Sequence, residues 1–280
     1  MSRTIVALHA HPDDESSKGA ATIARYHDVG IRTVLVTATG GEAGEILNPD
    51  ADTDAARSDL ASVRRSELRS AAGIIGYDDL VMLGYRDSGM PGSDDNRHPD
   101  AFVNAPFDEI LHRLVAIVRC ERPSVILGYD DHEWYPHPDH LRIHDLSEAV
   151  FDAAADPDRF PDAGAPWAAD RLYAPVFSIR RLHALSEAMA SRGLESPFSR
   201  WIEHIGPDAL DPLLTVVDVG PYVEQARDAL RAHRTQIDPN GSWFQVPLDV
   251  VLSVYPYEDF ELLASRDAAD PEGADLLPPP

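Results

Sequence analysis

The sequence predicts an α/β fold in which a mostly parallel β-sheet is flanked by helices. In the first half of the chain, short β-branched runs alternate with longer helical patterns, which is the arrangement expected of βαβ units. Glycine or proline follows each of the first three helical patterns and marks where a helix stops. With 280 residues, 44% of them hydrophobic, the chain is long enough to bury one core of this class.

The first half contains four predicted strands, each followed by a predicted helix. Gly30 and Gly76 end the first two helices, and the third ends before Pro123, because a residue that precedes proline disfavours helical conformation. In chain order, the elements are a strand over 4–8, a helix over about 18–29, a strand over 32–38, a helix over about 54–75, a strand over 80–84, a helix over about 104–121, a strand over 124–129 and a helix that runs to about 154.

The second half carries a weaker pattern, which predicts an elaboration of the same domain. Its elements are a strand over 171–177, a helix over 179–193, a strand over 213–219 and a helix over 222–237. We therefore predict one domain over residues 1–264, with a core of about 1–155 and a C-terminal elaboration of about 156–264. The acidic and proline-containing residues 265–280 predict a disordered tail.

The predicted fold is a Rossmann-like sandwich with strand order 3-2-1-4-5, and this order brings two motifs together. In such a sheet, ligands bind beyond the carboxyl ends of the strands, where the strand order reverses. Strands one and four are neighbours at that point. Residues 9–15, HAHPDDE, follow strand one, and residues 137–140, HPDH, follow strand four. We therefore expect the two motifs to meet in one crevice.

Composition excludes several classes of partner. The formal charge of −24 repels a nucleic-acid backbone or an anionic membrane, because such binding depends on Lys and Arg. We therefore expect no nucleic-acid or membrane partner. The single cysteine, Cys120, excludes an intrachain disulfide and a multi-cysteine zinc site. The apolar stretch near the N-terminus is short for a signal peptide, and no run reaches about 18 apolar residues, so we predict a cytoplasmic location.

The first motif has the residue types of a metal site. A dinucleotide-binding fold carries G-x-G-x-x-G after strand one, where this chain has carboxylates that repel a pyrophosphate and suit a cation. A catalytic zinc ion takes imidazole nitrogen and carboxylate oxygen from three protein ligands and keeps a fourth position for water. His11, Asp14 and either His137 or His140 would form such a site. Asp13 would then be the base that takes a proton from the water.

Each motif also has a structural interpretation. Asp13 or Asp14 could cap the helix that follows, and the second motif could be a Pro-Asp turn with surface histidines. Two dense His/Asp clusters after adjacent strands favour metal binding over both. The same donor set also suits Fe(II) in oxygen chemistry, but the extra carboxylate of Asp13 favours hydrolysis, which needs a base. A Rossmann-like nucleotide-binding module is a further alternative, which the missing glycines disfavour.

The motifs AHPDDE at 10–15 and HPDH at 137–140 resemble the signature of the LmbE/PIG-L family of zinc-dependent N-deacetylases. The resemblance implies a metal-dependent hydrolase that acts on a linear amide C–N bond. Zinc is the implied cofactor, and Fe²⁺ is the alternative. The residues that match the family's metal ligands are His11, Asp14 and His140.

The resemblance also implies roles for residues around the metal. Asp13 matches the family's general base. His137 matches the histidine that protonates the leaving amine or stabilises the tetrahedral oxyanion, and Asp139 is implied to orient it. Tyr135 matches a tyrosine that polarises the substrate carbonyl, an interaction often worth about 3 kcal/mol per donor.

Within this family, the chain looks most like the actinobacterial mycothiol branch. The similar stretches are SSKGAATIARY at 16–26, VTATGGEAGEILNP at 36–49, RRSEL at 64–68 and YRDSGM at 85–90. The branch contains a deacetylase that makes glucosaminyl-inositol and an amidase that cleaves mycothiol S-conjugates. Residues that match Glu45, Arg64 and Asp87 hold the glucosamine-inositol part of the substrate, which suits charge-assisted hydrogen bonds to hydroxyl groups.

Lys18, in SSKGA, and the segment RAHRTQIDPNGSWF at 231–244 resemble the amidase more than the deacetylase. The implied function is cleavage of the amide between glucosaminyl-inositol and the cysteinyl part of mycothiol S-conjugates, which serves detoxification. The implied partner is therefore a small molecule, a mycothiol conjugate or a related amino-sugar inositol. The alternatives are an N-acetylglucosaminyl-inositol deacetylase and a related natural-product tailoring hydrolase.

Overall fold

The structure, a computed structural model, describes residues 3–131, 135–206, 210–267 and 271–277. Within these residues, seven strands form one sheet. They are β1 Thr4–His9, β2 Arg32–Thr39, β3 Asp79–Tyr85, β4 Val125–Leu127, β5 Arg171–Val176, β6 Leu214–Asp218 and β7 Tyr257–Ser265. Their order in the sheet is β3-β2-β1-β4-β5-β7-β6. The predicted α/β fold and its 3-2-1-4-5 arrangement are confirmed.

The helices differ from the prediction mainly where one predicted helix is divided in two. This is the predicted helix over about 54–75, where α4 starts anew after Asp59, whose carboxylate caps it by accepting the N–H of Ser62. Gly19, with φ of 84°, separates α2 from the short helix α1, which the sequence did not predict. No helix in the described part of the chain has the length and apolar character of a membrane-spanning segment. The helices are α1 Asp14–Ser17, α2 Ala20–Asp28, α3 Asp54–Ser58, α4 Leu60–Ile75, α5 Phe107–Glu121, α6 Pro138–Ala155, α7 Ile179–Ser191, α8 Ser199–Ile205, α9 Val223–Ala232, α10 Ser242–Gln245 and α11 Leu248–Val254.

β1 lies in the middle of the parallel part of the sheet and is covered on both faces. It pairs in parallel with β2 on one side and with β4 on the other. Val6 and Leu8 pack in a core with residues of α5 and α6, and Ile5 and Ala7 pack in a second core with residues of α2 and α9. All six residues of β1 are therefore buried, as expected of a strand between two helical layers.

The C-terminal elaboration adds a strand that the sequence did not predict. β7 is antiparallel to both β5 and β6. Acidic residues are depleted in strands, but two in β7 have hydrogen-bond partners outside the strand. Glu258 accepts the backbone N–H of Thr22 at 2.8 Å, and Asp259 accepts the hydroxyl groups of Ser178 and Tyr255. The helices α8, α10 and α11 were also missed, and α9 ends at Ala232, five residues before the predicted end at 237.

Residues 271–277, within the tail over 265–280 that was predicted to be disordered, pack against the domain. Leu276 and Leu277 are 0% and 8% exposed and join the core beside α2. The hydroxyl of Tyr26 donates to Asp275 at 2.6 Å and accepts the backbone N–H of Leu276 at 2.9 Å. Two apolar side chains with a hydrogen-bonded anchor outweigh the polar composition of the segment.

Candidate active site

The two His-Pro-Asp motifs meet at one edge of the sheet. The first follows β1, and the second begins α6, after the neighbouring strand β4. The ring of His11 is 4.5 Å from that of His137 and 5.2 Å from that of His140. Residues 129 positions apart in the sequence are therefore in contact, as the predicted strand order requires.

The second motif forms the N-terminal turn of α6. His137 is the residue before the helix, and its Nδ1 accepts the backbone N–H of Asp139 at 3.2 Å. Pro138 occupies the first helical position. Its fixed φ is compatible with a helix, and its missing N–H has no cost because an N–H at this position has no partner within the helix. This turn directs Asp139 and His140, both buried, toward the first motif.

His11, Asp14 and His140 form a buried cluster with the spacing of metal ligands. Nδ1 of His11 is 3.4 Å from Oδ2 of Asp14 and 3.2 Å from Nε2 of His140. Nε2 of His140 is 3.4 Å from the same carboxylate oxygen. Ligand atoms on a tetrahedron with bonds of about 2.0–2.1 Å stand about 3.3 Å apart. The three groups could therefore hold a metal ion without rearrangement.

The charges around the cluster suit a cation. Burial opposes ionisation of Asp14, but His140 and Lys18 hold its pKa well below the usual range. The ammonium of Lys18 is 2.7 Å from Oδ1 of Asp14. Burial lowers the pKa of His140 to about 3. The carboxylate is thus ionised and this imidazole is neutral at pH 7, which are the forms that bind metals.

The second ring nitrogen of His11 faces Asp139. Nε2 of His11 is 3.1 Å from Oδ2 of Asp139, which also accepts the backbone N–H of Ser88 at 3.0 Å. Histidines that bind metals usually donate their other N–H to such a carboxylate, which fixes the orientation of the ring. The family resemblance implied that Asp139 orients His137. In the structure its carboxylate hydrogen-bonds His11, and its backbone N–H is the group that contacts His137.

Asp87 joins His11, His137 and Asp139 in a second buried cluster. Oδ1 of Asp87 is 3.5 Å from Nε2 of His11 and 3.8 Å from Nε2 of His137. Burial opposes protonation of His11, but Asp87 and Asp139 hold its pKa well above the usual value. Burial lowers the pKa of His137 to about 4. Since Nδ1 of His137 accepts a backbone N–H, the proton of the neutral ring lies on Nε2.

Asp13, the predicted base, has an unusual backbone conformation. Its φ is 111°, in a region that non-glycine residues rarely adopt and that is often found at functional sites. Its backbone N–H donates to Glu15, and its carboxylate accepts Nη2 of Arg64, both at 2.9 Å. Burial raises the pKa of Asp13, and Arg64 opposes the shift. A raised pKa favours a carboxylate as a general base near neutral pH.

Arg64, predicted to bind substrate, is only 3% exposed and holds the loops of the site together. Besides Asp13, its guanidinium donates to the carbonyl oxygens of Pro12 and Gly41. A Cβ atom at Gly41 would lie 2.2 Å from Nη1 of Arg64, so the close approach requires glycine. Glu45, the other candidate in this loop, is exposed and lies outside both clusters.

Sequence reasoning missed a buried ion pair behind the base. Nε2 of His233 is 2.6 Å from Oε1 of Glu15, and both side chains are 0% exposed. The other oxygen of Glu15 accepts the N–H of Asp13. His233 therefore supports the conformation of Asp13 through Glu15, although it stands 218 positions away from Glu15. The segment 231–244, which contains His233, shows a likeness to the amidase, but nothing in the sequence indicates that His233 pairs with Glu15.

Two tyrosines flank the histidines. Tyr135 is 49% exposed, and its ring lies 5.9 Å from that of His137 and 5.1 Å from that of His140. Tyr129, which the sequence did not single out, is fully buried. Its hydroxyl accepts the backbone N–H of Ala10 at 3.3 Å, and its ring lies 4.9 Å from that of His140. Tyr135 thus faces the open side of the site and Tyr129 its floor.

Comparison with known proteins identifies the family. A family model described as "PIG-L: GlcNAc-PI de-N-acetylase" matches residues 6–151, a span that contains both motifs. The chain belongs to the PIG-L family. The prediction of this family from the two motifs is confirmed. The family description names a deacetylase and the similar relatives are named as an amidase and deacetylases, so the chain is a hydrolase that acts on amide bonds.

Several relatives resemble this PIG-L chain over almost its full length. "Mycothiol S-conjugate amidase" of Streptomyces coelicolor is 40% identical and aligns with 93% of this chain and 92% of its own length. "1D-myo-inositol 2-acetamido-2-deoxy-alpha-D-glucopyranoside deacetylase" of Thermobifida fusca is 39% identical, with 93% of each chain covered. The structure of N,N'-diacetylchitobiose deacetylase from Pyrococcus horikoshii has a TM-score of 0.63 at 19% identity, covering 94% of this chain and 84% of that one, and supports the fold.

Proposed function

We propose that the chain is a zinc-dependent amidase that cleaves mycothiol S-conjugates between glucosaminyl-inositol and the cysteinyl group. The cluster of His11, Asp14 and His140 beside Asp13 is the observation that carries the hydrolytic chemistry. The relative from Streptomyces coelicolor, 40% identical and named as an amidase of such conjugates, supports the substrate. The reaction would release thiol adducts from mycothiol and so serve detoxification.

Zinc suits this donor set. Two imidazoles and one carboxylate are the ligands of many catalytic zinc sites, and separations of 3.2–3.4 Å between the three ligand atoms match tetrahedral coordination. Fe²⁺ accepts the same donor types and is the alternative. Metal analysis of the purified protein, with assays in air and without oxygen, tests the choice. Turnover that depends on oxygen would contradict hydrolysis.

The residues around the cluster divide the proton transfers between them. When bound, zinc supplies a Lewis acid that acidifies water and polarises a carbonyl. Asp13, held by Arg64 and Glu15, takes the proton of the attacking water. His137 directs its Nε2–H toward the scissile amide, where it stabilises the oxyanion or delivers a proton to the leaving amine.

The substrate would lie across the site with its sugar part toward the loops after β2 and β3. Asp87 and the exposed Glu45 come from these loops and suit hydrogen bonds to hydroxyl groups. The hydroxyl of Tyr135, on the open side of the histidines, would donate to the substrate carbonyl. Lys18, which forms an ion pair with Asp14, would contact the cysteinyl part of the substrate.

The second candidate function is deacetylation of N-acetylglucosaminyl-inositol. The relative from Thermobifida fusca, named as such a deacetylase, is 39% identical, so identity favours neither activity. The same ligands, base and acid would serve both reactions, which differ in the size of the acyl group. Lys18 favours the amidase, because a bare acetyl group offers nothing for a cation to contact.

A paired substrate assay tests the proposal. The zinc-loaded protein is given a mycothiol S-conjugate and N-acetylglucosaminyl-inositol, and kcat/KM is measured for each. A preference of about tenfold or more for the conjugate supports the amidase, whereas the same preference for the acetyl sugar would overturn it. Lys18→Ser should lower kcat/KM for the conjugate more than for the acetyl sugar. Equal losses would remove Lys18 from substrate selection.

A further inference from the structure

A cavity of about 380 Å³ lies next to the metal-ligand cluster, on the side of the C-terminal elaboration. Pro175, Val176 and Phe177, at the carboxyl end of β5, line one wall. Since β5 is parallel to β4, this wall lies at the same edge of the sheet as the two motifs. Lys18 lines the cavity as well and is 2.7 Å from Asp14. The cavity therefore begins within one side chain of the proposed metal site.

The cavity has an aromatic rim. The ring of Phe177 lies 6.0 Å from that of Trp201 and 6.1 Å from that of Trp243. Trp201 and Trp243 are 52% and 41% exposed, which leaves much of both indole rings available for contact with a ligand. Large aromatic side chains with few rotatable bonds concentrate at binding sites, because they offer a wide contact area at a low entropic cost. The rim is thus suited to contact with an apolar ligand.

Two carboxylates that line the cavity already have partners in the protein. Glu258 accepts backbone N–H groups at the start of α2. Asp259 accepts the hydroxyls of Ser178 and Tyr255. Two further charged residues, Arg181 and Arg227, lie over the rings of Phe177 and Phe244. Most of the other residues at the cavity are apolar or aromatic, and a volume of about 380 Å³ is within the usual range of small-molecule sites.

The sheet order tells which part of the substrate reaches this cavity. Asp87 and Glu45, the proposed sugar contacts, follow β3 and β2, which lie on one side of β1. The cavity is at β5 and β7, on the other side. With the sugar amine on the first side, the acyl part of the amide extends toward the second. In a thiol conjugate, the acyl part carries the group attached to sulfur.

We propose that this cavity binds the sulfur substituent of the conjugate, and that the substituents it selects are aromatic. The inference rests on the proposed amidase function and adds the chemical class of the thiol adduct. Stacking of the substituent on Trp201 and Trp243 would then set the preference among conjugates, while the metal-ligand cluster and Asp13 set the chemistry.

Binding of product fragments tests the cavity separately from turnover. S-benzyl-N-acetylcysteine and S-methyl-N-acetylcysteine are titrated into the zinc-loaded protein by calorimetry. We expect the benzyl compound to bind about tenfold more tightly, and Trp201→Ala and Trp243→Ala each to reduce this ratio about threefold or more. Both indoles are exposed, so neither change should unfold the chain. Val29→Ala is the control. Val29 is an exposed apolar residue that precedes the amino end of β2, whereas the cavity lies at the carboxyl ends of the parallel strands.

The outcomes separate this inference from the proposed function. Equal binding of the two fragments, or a benzyl preference that both tryptophan variants keep, would overturn the cavity assignment. Conjugates that are cleaved with equal kcat/KM for benzyl and methyl substituents would overturn it too, while leaving the amidase function intact. A benzyl preference that depends on the tryptophans, in a protein that cleaves no conjugate, would support the cavity and overturn the amidase function.

Discussion

Replacing His233 by alanine removes one partner of the buried pair behind the catalytic base. His233 and Glu15 are both 0% exposed, with 2.6 Å between Nε2 and Oε1. Loss of one partner of a buried ion pair costs about 3–5 kcal/mol, because the other charge stays buried without compensation. The hydroxyl of Ser16 and the N–H of Asp13 still donate to Glu15. We therefore expect the free energy of unfolding to fall by about 3 kcal/mol, at the lower end of this range.

The loss should depend on pH with a definite sign. Burial opposes protonation of His233, but Glu15 holds its pKa above the ordinary value of 6.5. This contribution is complete below pH 6.5 and is lost as the pH rises through the raised value. Burial opposes ionisation of Glu15, but His233 holds its pKa below 4.5, so that contribution is complete above pH 4.5. The difference between wild type and variant should be largest between these two values and decline at higher pH.

Urea unfolding at about pH 5.5 and about pH 8.5 measures this difference. A chelator keeps metal binding from contributing to the stability. His183→Gln, at a half-buried histidine of α7, is the matched control and should change stability little at either pH. A loss below about 1 kcal/mol for His233→Ala, or a loss that is the same at both pH values, would refute an ion pair as the link between Glu15 and His233.

Four further changes test the site and the core. Asp13→Asn should lower kcat by roughly 10²–10⁴-fold, and asparagine tolerates the left-handed backbone at this position. The zinc content, measured by emission spectrometry, should not change. An unchanged kcat would show that Asp13 is not the base. His140→Ala should lose zinc as well, and full zinc content would remove it as a ligand. Gly128→Ala should lose about 1–3 kcal/mol in urea unfolding, since its Cβ would lie 2.2 Å from a serine hydroxyl of α6. Its control, the exposed Gly73→Ala in α4, has no atom within 4 Å and should gain up to about 1 kcal/mol; a similar change in both would contradict the clash. Leu276→Ala, at a side chain 0% exposed, should cost about 2–5 kcal/mol, whereas a negligible cost would mean that the tail does not stabilise the domain.

The parallel part of the sheet and its helices could be predicted from the sequence, because the residues that mark each element lie within it or next to it. Each predicted strand is a short apolar run, and a glycine or proline follows each of the first three predicted helices. β7 was missed because its acidic residues disfavour a strand, and Glu258 and Asp259 are satisfied by partners as far away as Thr22 and Ser178. Leu276 was missed for a similar reason, since its burial depends on Tyr26, 250 positions away.

The same division applies to the site. His11, Asp14 and His140 come from two short motifs whose convergence follows from the strand order. The contacts that position these three residues do not follow from the strand order. The sequence carries no sign that Asp139 would face His11, or that His233 would leave α9 to pair with Glu15.

β7 determines the order in which the molecule can be completed. It is the last of the described strands, yet it lies between β5 and β6, and β6 has no other neighbour among them. β6 can therefore join the sheet only after residues 257–265 have left the ribosome. Pairing of strands that are far apart in the sequence is slow, because the chain loses the entropy of loop closure before the stabilising contacts form. The residues that hold the metal can thus assemble early in synthesis, whereas the wall that selects the substrate forms last.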